Sequence, residues 1–182
     1  MRHNRVAEID GIRITQLKSV TDARGAFVKF HPLKDLESPL GSVALSINPN
    51  LGTVRGMHFQ IEPFAEEKLV TCIQGSIFEV FVDLRPNSKT FGKWSSIELS
   101  AANVLQAYLP KGIAHGFQTL LPDSIINYSL TSTYAPEYSY SIDPFGDLGI
   151  EWPIEVHLVS ERDAGGISLS SAGKKYADSI KN

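Results

Sequence analysis

Two short segments of the sequence each carry a histidine in a setting that could support chemistry. Residues 55–60 read Arg-Gly-Met-His-Phe-Gln and contain His58, and residues 110–116 read Pro-Lys-Gly-Ile-Ala-His-Gly and contain His115. Both histidines lie in stretches typical of β-strands. Two imidazoles that face one cavity could act as metal ligands or as groups that accept and donate protons. The neighbouring elements decide which of these chemistries is available.

The chain around these histidines is predicted to be all-β. Short β-like runs alternate with turns rich in Gly, Pro, Asn and Asp. The runs span residues 12–17, 27–31, 43–48, 53–59, 68–73, 77–84, 95–99, 105–109, 116–120 and 125–131. Helical signal is confined to one turn at 33–36 and to residues 171–180, which form either a short helix or a frayed tail. About ten strands in one domain predict a double-sheet jelly roll or a closed barrel.

The composition is that of one ordinary soluble domain. The 182 residues suffice for a single core, expected over residues 10–163 with a C-terminal tail at 164–182. Apolar residues make up 42% and charged residues 20%, and the net charge of −3 provides no basic surface for nucleic acid. No apolar run reaches the length of a membrane span, so we expect a cytoplasmic protein without membrane contact. Cys72 is the only cysteine, which excludes an internal disulfide.

Strand alternation places two polar side chains on interior faces. Lys68 shares a face with Val70 and Cys72, and Tyr128 shares one with Ile126. A lysine among apolar neighbours is unusual unless the interior contains a polar site. Lys68 and Tyr128 therefore join the histidines as candidates for one site.

Strict alternation points Arg55 away from the face of His58. A glycine inside a strand often marks a β-bulge, which re-aims the side chains beside it. We therefore predict a bulge at Gly56 that turns Arg55 toward the site.

The metal-binding interpretation is weakened by one residue. Residues 110–115 resemble the second sequence motif of the cupins, in which a Pro-Gly turn aims a histidine into the barrel. The first cupin motif supplies two histidines two residues apart and then a glutamate. Here His58 is followed by Gln60 and then by Glu66 or Glu67. Because a neutral amide is a far poorer ligand than imidazole, we predict no catalytic metal.

The same residues suit proton transfer at a carbon next to a carbonyl group. That reaction needs a base, a donor that stabilises the enolate oxygen and, for inversion, an acid on the opposite face. His58 can be the base, Lys68 the stabilising cation and Tyr128 the acid. A histidine base also needs an orienting carboxylate. Several aspartates qualify from the sequence: Asp83, Asp143, Asp147 and Asp163.

Over residues 22–163 the chain resembles the dTDP-4-dehydrorhamnose 3,5-epimerases and their deoxysugar relatives. The matching segments are 22–27, 52–60, 67–75, 82–85, 110–117, Tyr128 with Tyr134, 148–153 and 160–163. The resemblance implies a cupin-type double-stranded β-helix, a jelly-roll barrel with few short helices. It also implies a homodimer that acts on a nucleotide-diphospho-sugar, expected to be a dTDP-sugar, without metal or cofactor.

By position, the resemblance implies that His58 is the base, Asp163 its partner and Tyr128 the acid. Lys68 and His115 would stabilise the enolate. The implied substrate-binding residues are Arg24, Phe27, Lys29, Arg55, Gln60, His115, Tyr134 and Arg162. Among them, Arg24 and Arg55 would contact the diphosphate or the sugar, Tyr134 would stack on the nucleobase, and Phe27 would come from the neighbouring subunit. From the residues alone, Asp163 could instead belong to a helix cap, and Asp83 is better explained by a structural pair with Arg85.

The proton-transfer residues match the family pattern, but several residues at substrate-recognition positions do not. Ser42 and Ala44 stand where the family usually carries Gln and Asn, and Lys29 and Ser139 stand where it carries glutamates. A lysine in place of a carboxylate reverses the local charge. Our hypothesis is that the nucleotide, or the substituents of the sugar, differ from those of the rhamnose-pathway substrate.

The predicted function is therefore epimerisation of a nucleotide-linked 4-keto-6-deoxyhexose, by proton abstraction next to the C4 ketone and reprotonation from the opposite face. The alternatives are a single-centre epimerase at C3 or C5, a 3,4-ketoisomerase, a non-catalytic sugar-nucleotide-binding cupin and a metal-dependent cupin. Tyr128 favours epimerisation over ketoisomerisation, which does not need an acid on the opposite face.

Overall fold

A computed structural model describes residues 9–30 and 36–181, which form two facing antiparallel sheets of five strands each and a separate hairpin. The strands are β1 (Arg13–Gln16), β2 (Lys18–Asp22), β3 (Gly25–Lys29), β4 (Ser42–Asn48), β5 (Val54–Gln60), β6 (Lys68–Gln74), β7 (Ser76–Asp83), β8 (Trp94–Ser100), β9 (Leu105–Leu109), β10 (Ile113–Thr119), β11 (Ser124–Leu130) and β12 (Ser139–Ser141). The first sheet has the order β1-β9-β6-β11-β4 and the second β12-β5-β10-β7-β8, while β2 and β3 form the hairpin. The all-β prediction is confirmed.

The predicted strands are present with shifted ends, and two strands were missed. β10 begins at Ile113 rather than at 116, and β3 covers Gly25–Lys29 rather than 27–31. The sequence pattern missed β2 because all its residues are exposed, so that no apolar alternation marks it. It also missed the short β12. The helical turn predicted at 33–36 falls almost wholly outside the described residues.

The C-terminal segment forms helices rather than a frayed tail. They are α1 (Glu161–Ala164) and α2 (Leu169–Ser179), and a 3-10 helix covers Pro136–Tyr138. Ala172 and Tyr176 of α2 are buried against the outer face of the second sheet. Among the helices of the described residues, none is long and apolar enough to cross a membrane.

Apolar side chains pack on both faces of the second sheet. Between the sheets, Phe81 and Phe117 join residues of the first sheet such as Val70 in one core. On the outer face, Met57 and Val80 pack beneath the C-terminal segment. Burial on both faces explains why β7 reads as a nearly continuous apolar run. The second sheet is thus a well-packed support for the side chains that it presents to the interior.

Asp83 and Arg85 form the structural ion pair that the sequence predicted. The buried Asp83 carboxylate accepts hydrogen bonds from the Arg85 side chain and from the hydroxyls of Ser88 and Thr90. Arg85 also donates to the backbone carbonyl of Asp10. This cluster ties the end of β7 to the loop that follows it and removes Asp83 from the candidates for the partner of His58.

Candidate active site

A cavity of about 390 Å³ lies between β4, β6 and β11 of the first sheet and β5 and β10 of the second. A volume of this size suits a small-molecule site. The predicted site residues that line it are Arg55, His58, Gln60, Lys68, His115, Tyr128, Tyr134 and Arg162. Residues that are distant in the sequence are therefore brought to one cavity.

His58 on β5 is hydrogen-bonded to a carboxylate on α1. Its Nε2 lies 2.7 Å from Oδ1 of Asp163, across 105 residues of sequence. Because a carboxylate only accepts hydrogen bonds, Nε2 carries a proton, and whenever the ring is neutral its lone pair is on Nδ1. The His58 side chain is 36% exposed and that of Asp163 only 5%. The imidazole can therefore meet a ligand while the carboxylate behind it stays shielded.

Asp163 is fixed by hydrogen bonds to its side chain and by its position in the first turn of α1. It accepts hydrogen bonds from the Ser141 hydroxyl at 3.0 Å and from the Gly56 amide at 3.2 Å. Its own backbone amide donates to the hydroxyl of Ser160, the N-cap of α1. Asp163 therefore takes part in the helix cap and also contacts His58, so the two alternatives from the sequence occur together. Burial raises the pKa of Asp163, but the bond to His58, the charge of that ring and the bonds from Gly56 and Ser141 lower it overall, to about 2.

Replacing Asp163 by asparagine should therefore destabilise the protein in a pH-dependent way. A carboxyl group whose pKa is lowered by folding stabilises the fold above its unfolded pKa of about 4, and this contribution is lost as the pH falls through the folded pKa of about 2. The shift corresponds to about 2 kcal/mol of unfolding free energy. Urea unfolding of wild type and Asp163→Asn should differ by about that amount at about pH 6, and the difference should shrink toward pH 2. A difference that does not change with pH would contradict this origin of the stability.

A bulge in β5 turns Arg55 into the cavity. His58 pairs with His115 on β10, and Arg55 pairs with Phe117, so β5 has one more residue than β10 between these pairs. Gly56, within the bulge, has φ of 117°, and a Cβ atom there would lie 2.5 Å from the backbone of β10. Only glycine fits this backbone conformation and this approach. The predicted bulge is confirmed.

Tyr128 faces the cavity from the wall opposite His58. It lies on β11 in the first sheet, whereas His58 lies on β5 in the second. Its ring packs edge-on against His115, with ring centroids 5.8 Å apart. Burial raises the pKa of Tyr128 well above its usual range, against a smaller opposing effect of Arg55. The phenol therefore stays protonated and can donate.

Lys68 is paired with a carboxylate that the sequence singled out only as a candidate metal ligand. Its Nζ contacts Oε1 of Glu66, and the two side chains are only 8% and 7% exposed. Both residues line the cavity. Their spacing of two residues, which places them on one face of an extended segment, was the available signal. An ammonium group fixed in this way can stabilise a developing oxyanion.

His115 is bonded to Glu79, a residue that the sequence analysis missed. Its Nδ1 lies 2.7 Å from Oε1 of Glu79 on β7. Glu79 stands between Ile77 and Phe81 in a strand whose residues are all buried. A buried carboxyl group requires a partner. A glutamate inside an apolar run was therefore the signal that could have revealed it.

Gln60 lines the cavity, but its amide is bonded to the backbone. It donates to the carbonyls of Phe64 and Thr133 and accepts from the amide of Ala135. The amide of Gln60 is therefore occupied by backbone partners, which does not favour its predicted role in substrate binding. Across residues 9–30 and 36–181, no group of three or more His, Cys, Asp or Glu side chains could hold a metal ion.

Two arginines supply positive charge at the cavity. Arg162 donates to the hydroxyls of Tyr134 and Ser139, each at 3.0 Å. Arg55 donates through Nε to Asn48 at 2.8 Å. Guanidinium groups held by neutral partners keep their charge available for phosphate oxygens.

The remaining predicted residues lie on the hairpin, away from this cavity. Arg24, Phe27 and Lys29 border a separate shallow depression between β2 and β3. Arg24 forms an exposed ion pair with Asp22, and the Phe27 side chain is largely exposed to solvent. A single chain therefore does not bring these residues to His58.

Fold and site together define a cupin-type jelly roll whose cavity is equipped for proton transfer. A family model described as dTDP-4-dehydrorhamnose 3,5-epimerase matches residues 6–171. An enzyme of that name from Sinorhizobium fredii is 40% identical over 167 residues, which are 87% of this chain and 85% of the relative. The chain belongs to the dTDP-4-dehydrorhamnose 3,5-epimerase family and is an isomerase.

Solved structures agree on the fold. NovW, a 4-keto-6-deoxy sugar epimerase from the novobiocin biosynthetic gene cluster of Streptomyces spheroides, is 30% identical with a TM-score of 0.85, covering 96% of this chain and 90% of its own. ChmJ, a 3'-monoepimerase from Streptomyces bikiniensis determined with dTDP-quinovose, is 28% identical with a TM-score of 0.85, covering 94% of this chain and 89% of its own. The predicted cupin-type jelly roll is confirmed.

Proposed function

We propose that this protein epimerises a dTDP-linked 4-keto-6-deoxyhexose without a cofactor. The observation that carries the proposal is the placement of the His58–Asp163 pair and Tyr128 on opposite walls of one cavity. Inversion at carbon requires a base on one face and an acid on the other. Family membership supports the choice of substrate.

The reaction follows from the geometry of the residues. Nδ1 of His58 takes the proton from the carbon next to the C4 ketone, and Asp163 stabilises the imidazolium that forms. Lys68 and His115 meet the enolate oxygen. Tyr128 then returns a proton to the opposite face. The two arginines at the cavity, Arg55 and Arg162, would hold the diphosphate.

Proton NMR in deuterated water with dTDP-4-keto-6-deoxyglucose tests the function. Deuterium at both C3 and C5 with inverted configuration would establish a 3,5-epimerase. Deuterium at a single centre would establish the single-centre alternative, which the structural similarity to ChmJ favours as the second candidate. Migration of the ketone to C3 would identify a ketoisomerase, and the absence of exchange with any 4-keto-6-deoxysugar nucleotide would contradict the proposal.

The departures at recognition positions predict a change in substrate. Ser42 and Ala44 line the cavity, and Ser139 contacts Arg162 where the family carries a glutamate. We expect a panel of nucleotide-linked 4-keto-6-deoxysugars to contain a better substrate than dTDP-4-keto-6-deoxyglucose, measured as kcat/KM. Equal or higher kcat/KM for dTDP-4-keto-6-deoxyglucose, with inversion at both centres, would contradict this hypothesis.

The working form is proposed to be a homodimer. β4 is an edge strand, and its outward side chains Val43, Leu45 and Ile47 are each more than half exposed. Phe27 on the hairpin is similarly exposed. Exposed apolar side chains on an edge strand favour association with another chain. The inward face of β4 lines the cavity, so a partner hairpin laid along this edge would bring its Phe27 close to the substrate.

Replacing Leu45 by aspartate should therefore produce a monomer with a higher KM. The added charge would be buried in the dimer interface without a partner. Light scattering after gel filtration measures the mass, and steady-state kinetics measure KM. Ile180→Asp is the matched control, because Ile180 is also about half exposed but caps α2, which packs on the outer face of the second sheet, a sheet that does not contain β4. A dimeric Leu45→Asp protein would remove β4 from the interface.

A further inference from the structure

His115 and Glu79 form a second pair of an imidazole and a carboxyl group beside the His58–Asp163 pair. Nδ1 of His115 is bonded to Glu79, and because the ring lines the cavity, Nε2 is the nitrogen left for a ligand. His115 is directly opposite His58 on the neighbouring strand. Both pairs can therefore act on the same bound molecule.

The two carboxyl groups are held differently. Asp163 receives hydrogen bonds from His58, Gly56 and Ser141, which favour its ionised form. Glu79 has one oxygen on His115, and its Oε2 is buried with no hydrogen-bond partner among the described residues. A bare, buried carboxylate oxygen is costly, whereas a protonated carboxyl group leaves only a neutral carbonyl oxygen without a partner.

The surroundings favour the neutral form of both Glu79 and His115. Burial raises the pKa of Glu79 well above its usual range, although the charge of Lys68 opposes this. Burial also lowers the pKa of His115, and the charges of Lys68 and His58 lower it further. A neutral carboxyl group next to a neutral imidazole is therefore the stable form of the pair.

We propose that Glu79 keeps a proton on the Nδ1 side of His115, so that Nε2–H faces the cavity as the proton source for the substrate's carbonyl oxygen. This inference rests on the proposed function for the identity of that oxygen. Glu79 acts through His115 and is therefore a positioning residue.

The step conserves protons and charge. When His58 removes the carbon-bound proton, the electron pair of the C–H bond moves to the carbonyl oxygen. His115 passes its Nε2 proton to that oxygen while Glu79 passes its carboxyl proton to Nδ1. The products are a neutral enol, a neutral His115, a His58 imidazolium and an ionised Glu79, whose charge the neighbouring Lys68 offsets. Protonation of the carbon by Tyr128 reverses both transfers.

Nitrogen NMR of the protein labelled with 15N-histidine tests the proton position without substrate. The signals of His115 are assigned by their loss in His115→Gln. We expect Nε2 of His115 to be protonated at about pH 7, where an unperturbed histidine is mostly neutral. A His115 ring with a proton on Nδ1, either alone or together with one on Nε2, would overturn the proposal, because Glu79 would then not hold the proton. Because no substrate is used, this outcome is independent of whether the protein is an epimerase.

Kinetics of Glu79→Gln test the relay. The amide can still bond to Nδ1 but cannot give up a proton, so we expect kcat to fall by about 10²-fold with KM unchanged. Glu67→Gln is the matched control, since Glu67 is also buried and bonded, but its partner Tyr108 does not line the cavity, whereas the Glu79 partner His115 does. Calorimetric titration with dTDP checks that the cavity is intact in each variant. An unchanged kcat in Glu79→Gln that still binds dTDP would overturn the relay, and if that variant does not fold, the tautomer of His115 in the wild type decides.

Discussion

Substitution of His58 by asparagine is expected to abolish both deuterium exchange and epimerisation, each falling by about 10³-fold or more. Asparagine is small and polar and can still bond to Asp163, but it has no lone pair basic enough to take a proton from carbon. The loss should appear in kcat rather than in the affinity for dTDP, because the proposed role of His58 is at the reacting carbon and not at the nucleotide. Exchange followed by proton NMR and dTDP binding followed by calorimetry separate the two effects.

His157→Asn provides the matched control. His157 is exposed and lies outside the cavity lining. Its replacement should leave exchange and epimerisation at the wild-type rate. Exchange that persists in His58→Asn at the wild-type rate would remove His58 from the role of base and would leave the His58–Asp163 contact as a structural bond.

Substitution of Tyr128 by phenylalanine is expected to separate exchange from inversion. The ring can keep its edge-on contact with His115, while the hydroxyl that would donate the proton is lost. His58 should still remove and return the same proton, so deuterium should enter the substrate with retained configuration. Formation of the inverted product should fall by about 10²-fold. Both quantities can be followed in one NMR time course.

Tyr140→Phe is the matched control for this change. The Tyr140 hydroxyl donates to a backbone carbonyl, and Tyr140, whose ring packs on Phe59, does not itself line the cavity. Inversion in this variant should proceed as in the wild type. If exchange and inversion fell together in Tyr128→Phe, Tyr128 would belong to the first proton transfer, and if inversion were unaffected, another group would be the acid.

The side chains that alternation can place were predictable, and those that depend on tertiary partners were not. Lys68 and Tyr128 were assigned to the interior because each shares a strand face with apolar residues. Glu79 was missed because in a strand buried on both faces the side chains on either face are apolar, so no periodicity marks the one polar exception. Asp163 was one of several candidates from the residues alone, since a contact across 105 residues leaves no local pattern.

The hairpin shows a different limit. β2 has only exposed residues, and its apolar Val20 faces solvent in the single chain. In the proposed dimer another molecule would bury this segment, and a segment buried in that way carries no intramolecular pattern of burial. The role of Phe27 in the neighbouring subunit is implied by the family resemblance and stays a prediction, and hydrophobic periodicity gives no sign of it.

The position of Asp163 has a consequence for how the protein would lose activity. The carboxylate reaches His58 from a helix of four residues, which is attached to the barrel by short contacts such as the bridge between Thr53 and Leu158 and the Ser141 hydrogen bond. Such a segment can open locally at a lower free energy than the sheets that it covers. The His58–Asp163 contact and the barrel therefore have separate free energies of opening. Mild denaturant should abolish activity while the strands remain protected from hydrogen exchange.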